Sequence, residues 1–326
     1  MARNIFIQSI SNDRSTDDVI DWISYLSKEN VVPFFNKYHV DNFELSIENN
    51  SINFQINDTT LNYNDSFWYR RGKFTDTKSF TQYGVFSELA EKIHFENNTP
   101  FIEAIKGKFI NNNINKYQDN NLEKITMLLS CVDLKINIPS MIITNDKLKI
   151  KSFIKKHGKI ITKPLKYPST IVNVDNHKVE IITGTQLIEN ENIIDEIITF
   201  SPSLFQEYIE KKIELRSFYL NGKFKTMAIF SQMNEKTKID FRNYDYSRPN
   251  RCIPYQLPKN IESKLNKLMK KLELNCGSFD IIYTPEGKYY FLEVNPIGQF
   301  QWLSYNCNFN IEKLIAQELI NSNGTK

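Results

Sequence analysis

The chain has 326 residues, enough to bury at least one sizeable core and to make about two or three structural units. Its 41 Lys and Arg stand against 38 Asp and Glu, a net charge of only +3, so charge implies no nucleic-acid partner, and the wealth of Asn, Ile and Lys looks like a coding bias. No run of about twenty apolar residues occurs and the first ten residues lack a signal-peptide layout, which argues for a cytoplasmic protein with no membrane partner. Cys131, Cys252, Cys276 and Cys307 lie far apart with only four histidines to join them, which argues against a structural zinc site and for buried thiols.

The first third reads as a small α/β unit. Asn4 to Gln8 alternates as a strand, and Ser15 or Thr16 caps a helix with Val19, Ile20, Ile23 and Leu26 on one face. Phe43–Ile47 and Ile52–Ile56 alternate around Glu48-Asn49-Asn50-Ser51 as a hairpin. After Phe67-Trp68-Tyr69-Arg70-Arg71, a helix from about Phe86 to Phe109 leads into an Asn-rich segment, Asn111 to Asn121, where the first boundary falls. The middle unit takes a helix near Leu122–Cys131, a strand Ser140–Thr144, a helix Lys147–Lys156 and the apolar strand Lys159–Lys163. A hairpin of Ile171–Val174 with Lys178–Thr183 comes next, then a helix Gln186–Phe200. The last third predicts strands at Leu204–Ile209, Leu215–Leu220 and Lys223–Ser231, a polar loop Asn234–Asn250, a helix Ile261–Leu272 and a final hairpin. The division is thus 1–115, 116–202 and 203–326.

That hairpin carries the sharpest chemical signal: Gly277 to Tyr283 and Tyr289 to Pro296, with Thr284-Pro285-Glu286-Gly287 as the turn. Glu293 and Asn295, two apart on a strand, share a face. A two-residue Glu286-Gly287 loop sets Asp280 directly opposite Glu293, whereas a four-residue turn makes them diagonal neighbours on that face. Two carboxylates and an amide oxygen, with no Cys or His, form the hard-oxygen donor set of magnesium; the bland alternative is a solvated polar face.

Lys163 ends an apolar strand just before Pro164, where a lysine can serve as a phosphate-binding point charge, and Lys124 is a second candidate in a register that Lys116 also offers. In Phe205-Gln206-Glu207-Tyr208-Ile209-Glu210 a strand runs into a connection whose backbone could bond an adenine. Glu214 could then accept from ribose hydroxyls while Arg216, on the same strand face, points at phosphate.

In this order, Lys124, Lys163, Gln206-Glu207-Tyr208-Ile209, Glu214-x-Arg216, Asp280 and Glu293-Val294-Asn295-Pro296 resemble the ATP-grasp superfamily. The resemblance implies an α+β / α/β fold with an N-terminal pre-ATP-grasp domain and two lobes around the nucleotide. It also implies ATP and Mg2+ (two ions) as cofactors. Lys124, Lys163, Gln206, Glu207, Tyr208, Ile209 and Glu214 would bind ATP, and Asp280, Glu293 and Asn295 would hold the metal. Five further stretches are similar to the peptide-maturing ligases of graspetide (microviridin-like) pathways, the grasp-with-spasm group: Phe67 to Arg71, Ile229-Phe230-Ser231-Gln232 with Ile239-Asp240-Phe241-Arg242, Pro254 to Pro258, and Asn295 to Trp302. These imply a ligase that activates Asp or Glu side chains of a ribosomal precursor peptide as acyl phosphates and joins them to Ser or Thr hydroxyls as ω-esters.

Arg216, Asp240 as general base and Arg242 as a clamp for the acidic side chain are the catalytic candidates. The polar loop suits a lid, and the hairpin at Ile171–Thr183 a leader segment. The resemblance also implies a homodimer. The segment Lys163 to Thr170 departs from the superfamily in lacking glycine. An ATP-grasp carboxylate-amine ligase is the alternative. A degenerate grasp protein without catalysis is disfavoured by the metal triad, and a kinase by the absence of a P-loop and a His-Arg-Asp motif.

Overall fold

The computed structural model describes residues 3–34, 43–49, 51–57, 59–62, 64–72, 80–94, 112–115, 124–165, 169–174, 177–182, 184–196 and 199–321. The chain forms two compact units: residues 1–119, 273–277 and 299–326 in one, 120–272 and 278–298 in the other.

The first unit is built on a parallel sheet. Its strands are β1 (Asn4–Gln8) and β2 (Asn30–Phe34), with α1 (Arg14–Leu26) between them. Helix α1 is capped by Asp13, whose carboxylate accepts from the Ser15 N–H, so the cap lies earlier than Ser15 or Thr16. The hydroxyls of Ser15 and Thr16 are instead buried with Val19 and Ile23. An antiparallel sheet of β3 (Phe43–Glu48), β4 (Ser51–Ile56) and β5 (Thr59–Leu61) comes next, confirming the first hairpin. The aromatic run then forms β6 (Ser66–Tyr69), which pairs with β1 and with β7 (Asn112–Ile114) to give the order β2-β1-β6-β7. Strands buried on both faces read as continuous apolar runs, which explains Ile5-Phe6-Ile7 and Phe67-Trp68-Tyr69. Of the helix expected over Phe86 to Phe109, a 3-10 turn (Thr81–Phe86) and α2 (87–94) are seen; residues 95–111 lie outside the described residues.

In the second unit, β8 (Met141–Thr144), β9 (Ile160–Lys163), β12 (Gln186–Ile188) and β13 (Ser203–Glu207) form an antiparallel sheet in the order β12-β9-β13-β8. Helix α3 (Lys124–Asp133) precedes it. Helix α4 (Lys147–His157), capped by Asp146, packs Ile150 and Ile154 on Ile160, Ile188, Ile194 and Phe205. The helix expected over Gln186–Phe200 is not continuous. Its first residues pair with β9 as β12, and among the described residues only α5 (Asn192–Glu196) is helical, because edge pairing and the Asn190 side chain bonding Asn192 N–H divide the segment. Strands β10 (Ser169–Val174) and β11 (His177–Ile182) make the second hairpin; Thr183 lies outside the described residues.

A second sheet takes β14 (Ile213–Leu220), β15 (Lys223–Ile229), β16 (Cys252–Tyr255), β17 (Cys276–Tyr283) and β18 (Tyr289–Asn295) in the order β16-β15-β14-β17-β18. Helix α6 (Lys259–Lys271) buries Leu265, Leu268 and Met269. The chain then returns to the first unit as α7 (Gln301–Cys307) and α8 (Ile311–Ile320), which the sequence had not revealed. Ser66 Oγ donates to Leu319 O at 2.8 Å, tying β6 to α8. Cys131, Cys276 and Cys307 are buried free thiols and Cys252 is half-buried; burial pushes Cys131 and Cys276 up to about 12. No helix among the described residues is long and apolar enough to cross a membrane.

Candidate active site

The β17–β18 hairpin brings Asp280 directly opposite Glu293, and Ser278 opposite Asn295. The register is reached in two steps. Near the turn, Tyr283 pairs with Tyr289 and Ile281 with Phe291, and Thr284 N–H donates to Lys288 O at 2.9 Å around Gly287 at φ +80°. A bulge between Asp280 and Ile281 then leaves Leu292 as the extra residue and shifts the partner by one. Without that bulge, Asp280 would face Leu292 and Glu293 would turn to the other side of the sheet.

Cations converge on this carboxylate pair. Arg216 Nη1 donates to Asp280 Oδ1 at 2.6 Å, and Lys124 Nζ stands 3.8 Å from Glu293 Oε2 while donating to Pro164 O at 3.4 Å. The two acids are driven apart electrostatically. Burial pushes Asp280 above the usual carboxylate range, with Arg216 opposing and the Glu293 charge adding. Burial acts the same way on Glu293, but Lys163, Lys124, Arg242 and Arg216 outweigh it and hold its carboxyl below the usual value. Lys163 is lowered to about 8, chiefly by burial, with Glu293 opposing and Lys124 adding.

Lys163 pairs with Leu204 and Ile161 with Gln206, so Lys163 and Gln206 share the sheet face opposite to that on which Phe205 packs with α4. The Gln206 side chain is buried, and its Oε1 has no partner among the described residues. At the strand's exit Glu207 N–H donates to Ser140 O and Tyr208 N–H to Lys159 O, while the Glu207 carboxylate accepts from Ser140 N–H at 3.1 Å. No acceptor takes the Ile209 N–H among the described residues. Glu214 Oε1 accepts from Ser231 Oγ at 2.6 Å and lies 3.1 Å from Lys211 Nζ; burial raises its pKa against the pull of Lys211.

The polar excursion after β15 is an organised loop. Thr237 Oγ1 donates to Ser231 O, and Asn234 Nδ2 donates to Asp245 and Arg248 O. Asp240 takes Arg242 Nε and Nη2 at 2.8 and 2.7 Å, together with the Arg242 N–H and Thr185 Oγ1. Burial alone would raise Asp240, but the Arg242 guanidinium outweighs it and holds the carboxyl low. The Arg242 side chain is 61% exposed, and its charge is felt at Glu293, Asp280 and Lys163.

By donor chemistry, two opposed carboxylates and a neighbouring amide oxygen suit a magnesium ion whose other ligands would have to be phosphate and water. The donors are not all open. One Asp280 oxygen is held by Arg216, and Asn295 Oδ1 accepts from its own chain, Ile297 N–H at 3.0 Å and Gly298 N–H at 2.9 Å. No group of three or more His, Cys, Asp or Glu able to hold a metal occurs among the described residues, so an ion here depends on ligands beyond these carboxylates.

No family model matches the chain, and no curated protein matches its sequence. Solved structures do match over nearly its full length. A RiPP-associated ATP-grasp ligase of Chryseobacterium gregarium, in complex with ADP and a leader and core peptide, aligns at TM-score 0.76 and 24% identity over 97% of this chain and 95% of its own. The macrocyclase MdnC of Microcystis aeruginosa MRC, bound with precursor peptide MdnA, aligns at 0.71 and 25% over 98% and 99%. D-alanyl-alanine synthetase A of Vibrio cholerae aligns at 0.53 and 13% over 98% of each chain. The chain has the ATP-grasp fold. Within this ATP-grasp chain the sequence reading assigned no role to Lys211, Thr185 and Ser140, and named Ser231 only within a resembling stretch; the polar atoms of all four bond the singled-out residues. The adjacent lysines Lys211-Lys212 look like a solvated pair in sequence, and only the burial of Lys211 distinguishes them.

Proposed function

We propose that this protein is an ATP- and Mg2+-dependent, ADP-forming ligase that activates side-chain carboxylates of a ribosomal precursor peptide and closes them onto hydroxyls as ω-esters. The observation that carries the reading is the convergence of Lys124, Arg216 and the Arg242 charge on the Asp280–Glu293 pair. The peptide substrate class is supported by the two solved neighbours that hold precursor peptides, one of them described as a macrocyclase.

On this reading the face of β9 and β13 carrying Lys163 and Gln206 receives the nucleotide, with Lys124 at phosphate as well. Glu207, Tyr208 and Ile209 line the adenine, the unclaimed Ile209 N–H being available to it, and the remaining lone pairs of Glu214 take ribose hydroxyls. Asp280, Glu293 and Asn295 hold Mg2+, which would supply charge neutralisation at the transferring phosphoryl group. Arg216 and Lys163 add fixed positive charge, so the protein's share is positioning and electrostatics. Arg242 clamps the acidic side chain. Asp240, held ionised by Arg242, is the group that can accept the hydroxyl proton as the ester bond forms. The division at 115 and 202 into a pre-grasp domain and two lobes, a leader segment at the β10–β11 hairpin, and a homodimer belong to the same proposal.

The test is the intact mass of a precursor peptide encoded beside this gene after incubation with protein, ATP and Mg2+. Loss of one water per ring, regained in mild base, supports ester closure. Base-stable loss means amide rings, and a gain of amino-acid mass favours the carboxylate-amine ligase. ATP turnover that survives Glu293→Gln would sink the metal assignment.

A further inference from the structure

Lys211 lies in the short connection between β13 and β14, and its side chain is only 4% exposed. A buried ammonium is unfavourable unless it is both paired and hydrogen-bonded. Here it is both: Nζ stands 3.1 Å from Glu214 Oε1 and donates to Ile239 O at 2.8 Å. The two partners belong to different parts of the site. Glu214 sits on β14, two residues before Arg216, and Ile239 O is the carbonyl joined by the peptide bond to Asp240.

The same carboxylate holds the other end of the excursion, through Ser231 Oγ at 2.6 Å. Between the two anchors the chain closes on itself: Gln232 Nε2 donates to Lys238 O at 3.0 Å and Thr237 Oγ1 to Ser231 O at 2.8 Å. Residues 231–239 are therefore fixed at both ends to Glu214, once directly and once through Lys211. The next residue in the chain is Asp240, whose carboxylate in turn orients Arg242 by two hydrogen bonds.

We propose that Lys211 is a positioning residue that couples nucleotide at Glu214 to the placement of the Asp240–Arg242 pair. The inference rests on the functional reading above, in which Glu214 receives the ribose. A ribose hydroxyl bonded to the other Glu214 oxygen fixes the rotamer of that carboxylate. Lys211 then has one place to stand, and the 239–240 peptide is pinned with it. The coupling is reciprocal, so a carboxylate bound at Arg242 tightens nucleotide by the factor with which nucleotide tightens the carboxylate.

The experiment is hydrogen exchange over residues 239–244 of the full chain with and without saturating ADP and Mg2+, where the N–H groups of Arg242 and Asn243 bond to Asp240. In the native protein ADP should slow this segment by about fivefold or more. Lys211→Met should still bind ADP, melt as a folded protein and lose the ADP-dependent slowing, and Lys211→Arg should restore part of it. Ser231→Ala removes one bond from the same carboxylate without unpairing a buried charge; it should lose part of the slowing and serves should Lys211→Met not fold. Undiminished slowing in the folded Met variant, or in Ser231→Ala if the Met variant does not fold, overturns the proposal. A native protein that binds ADP while residues 239–244 ignore it overturns the coupling alone, whereas one that binds no ADP removes the functional reading with it.

Discussion

Lys163 offers the most direct check on the electrostatics of the site. Its ammonium is lowered to about 8 by burial, against the ordinary lysine value of 10.5. At pH 7 about nine-tenths of the protein carries this charge and at pH 9 about one-tenth. If the charged form is the one that holds phosphate, ADP affinity should weaken about tenfold between pH 7 and pH 9, roughly 1.4 kcal/mol. Calorimetric titration of ADP in a chelating buffer isolates this group from any metal. The folding stability of the apo protein should move the other way. Because the folded pKa lies below the unfolded one, the unfolded chain binds more protons between the two values, and stability rises with pH from about 8 to 10.5. Lys163→Arg, charged throughout this range, should flatten the ADP profile. A wild-type profile that stays level to pH 9, or a slope that survives in the arginine variant, would refute the assignment of Lys163 to phosphate.

The same geometry sets three further outcomes. Since the Glu293 charge raises Lys163, Glu293→Gln should move the midpoint of the ADP profile below about 8; an upward shift would contradict the electrostatic picture of the cluster. Arg70 is buried, 3.2 Å from Asp13 and 5.0 Å above the Phe300 ring, so Arg70→Met should lose about 3–5 kcal/mol in urea unfolding, and a loss under about 1 kcal/mol would show that the pair contributes little. Gly298 has φ +25° and an added Cβ would overlap the Ser278 side chain and come within 2.8 Å of its backbone N, so Gly298→Ala should destabilise by about 1–3 kcal/mol in the same unfolding assay, with only the side-chain part recovered in a Ser278→Gly background.

The fold was legible where local chemistry and burial agree. Alternation at Phe43–Ile56 and the apolar run ending at Lys163 became strands because their side chains needed the faces those strands supply. Gln186–Phe200 misled because an edge strand three residues long carries too little periodicity to outweigh helix-compatible residues, and its pairing with β9 is a tertiary fact. Helices α7 and α8 were missed for a related reason. They belong to the first unit, where α8 lies against α1 and β6, elements separated from it in sequence by almost the whole chain.

The hairpin shows how a correct pairing can rest on an incomplete cause. The turn residues suggested either direct or diagonal opposition of Asp280 and Glu293, both on one face. The actual turn closes at Thr284 and Lys288, a register that by itself would have put the acids on opposite faces. One extra residue, Leu292, restores them to one face. Turn chemistry alone therefore could not decide the register. On the far face Glu293 would lose Lys124, whereas Asp280 would keep Arg216 and escape the repulsion of a second carboxylate, so the bulge gives Glu293 its cationic surroundings at the cost of that repulsion. A bulge is tolerated here because it aligns a pair of acids that Lys124, Lys163, Arg216 and Arg242 surround, and deleting Leu292 should separate that pair while leaving the turn intact.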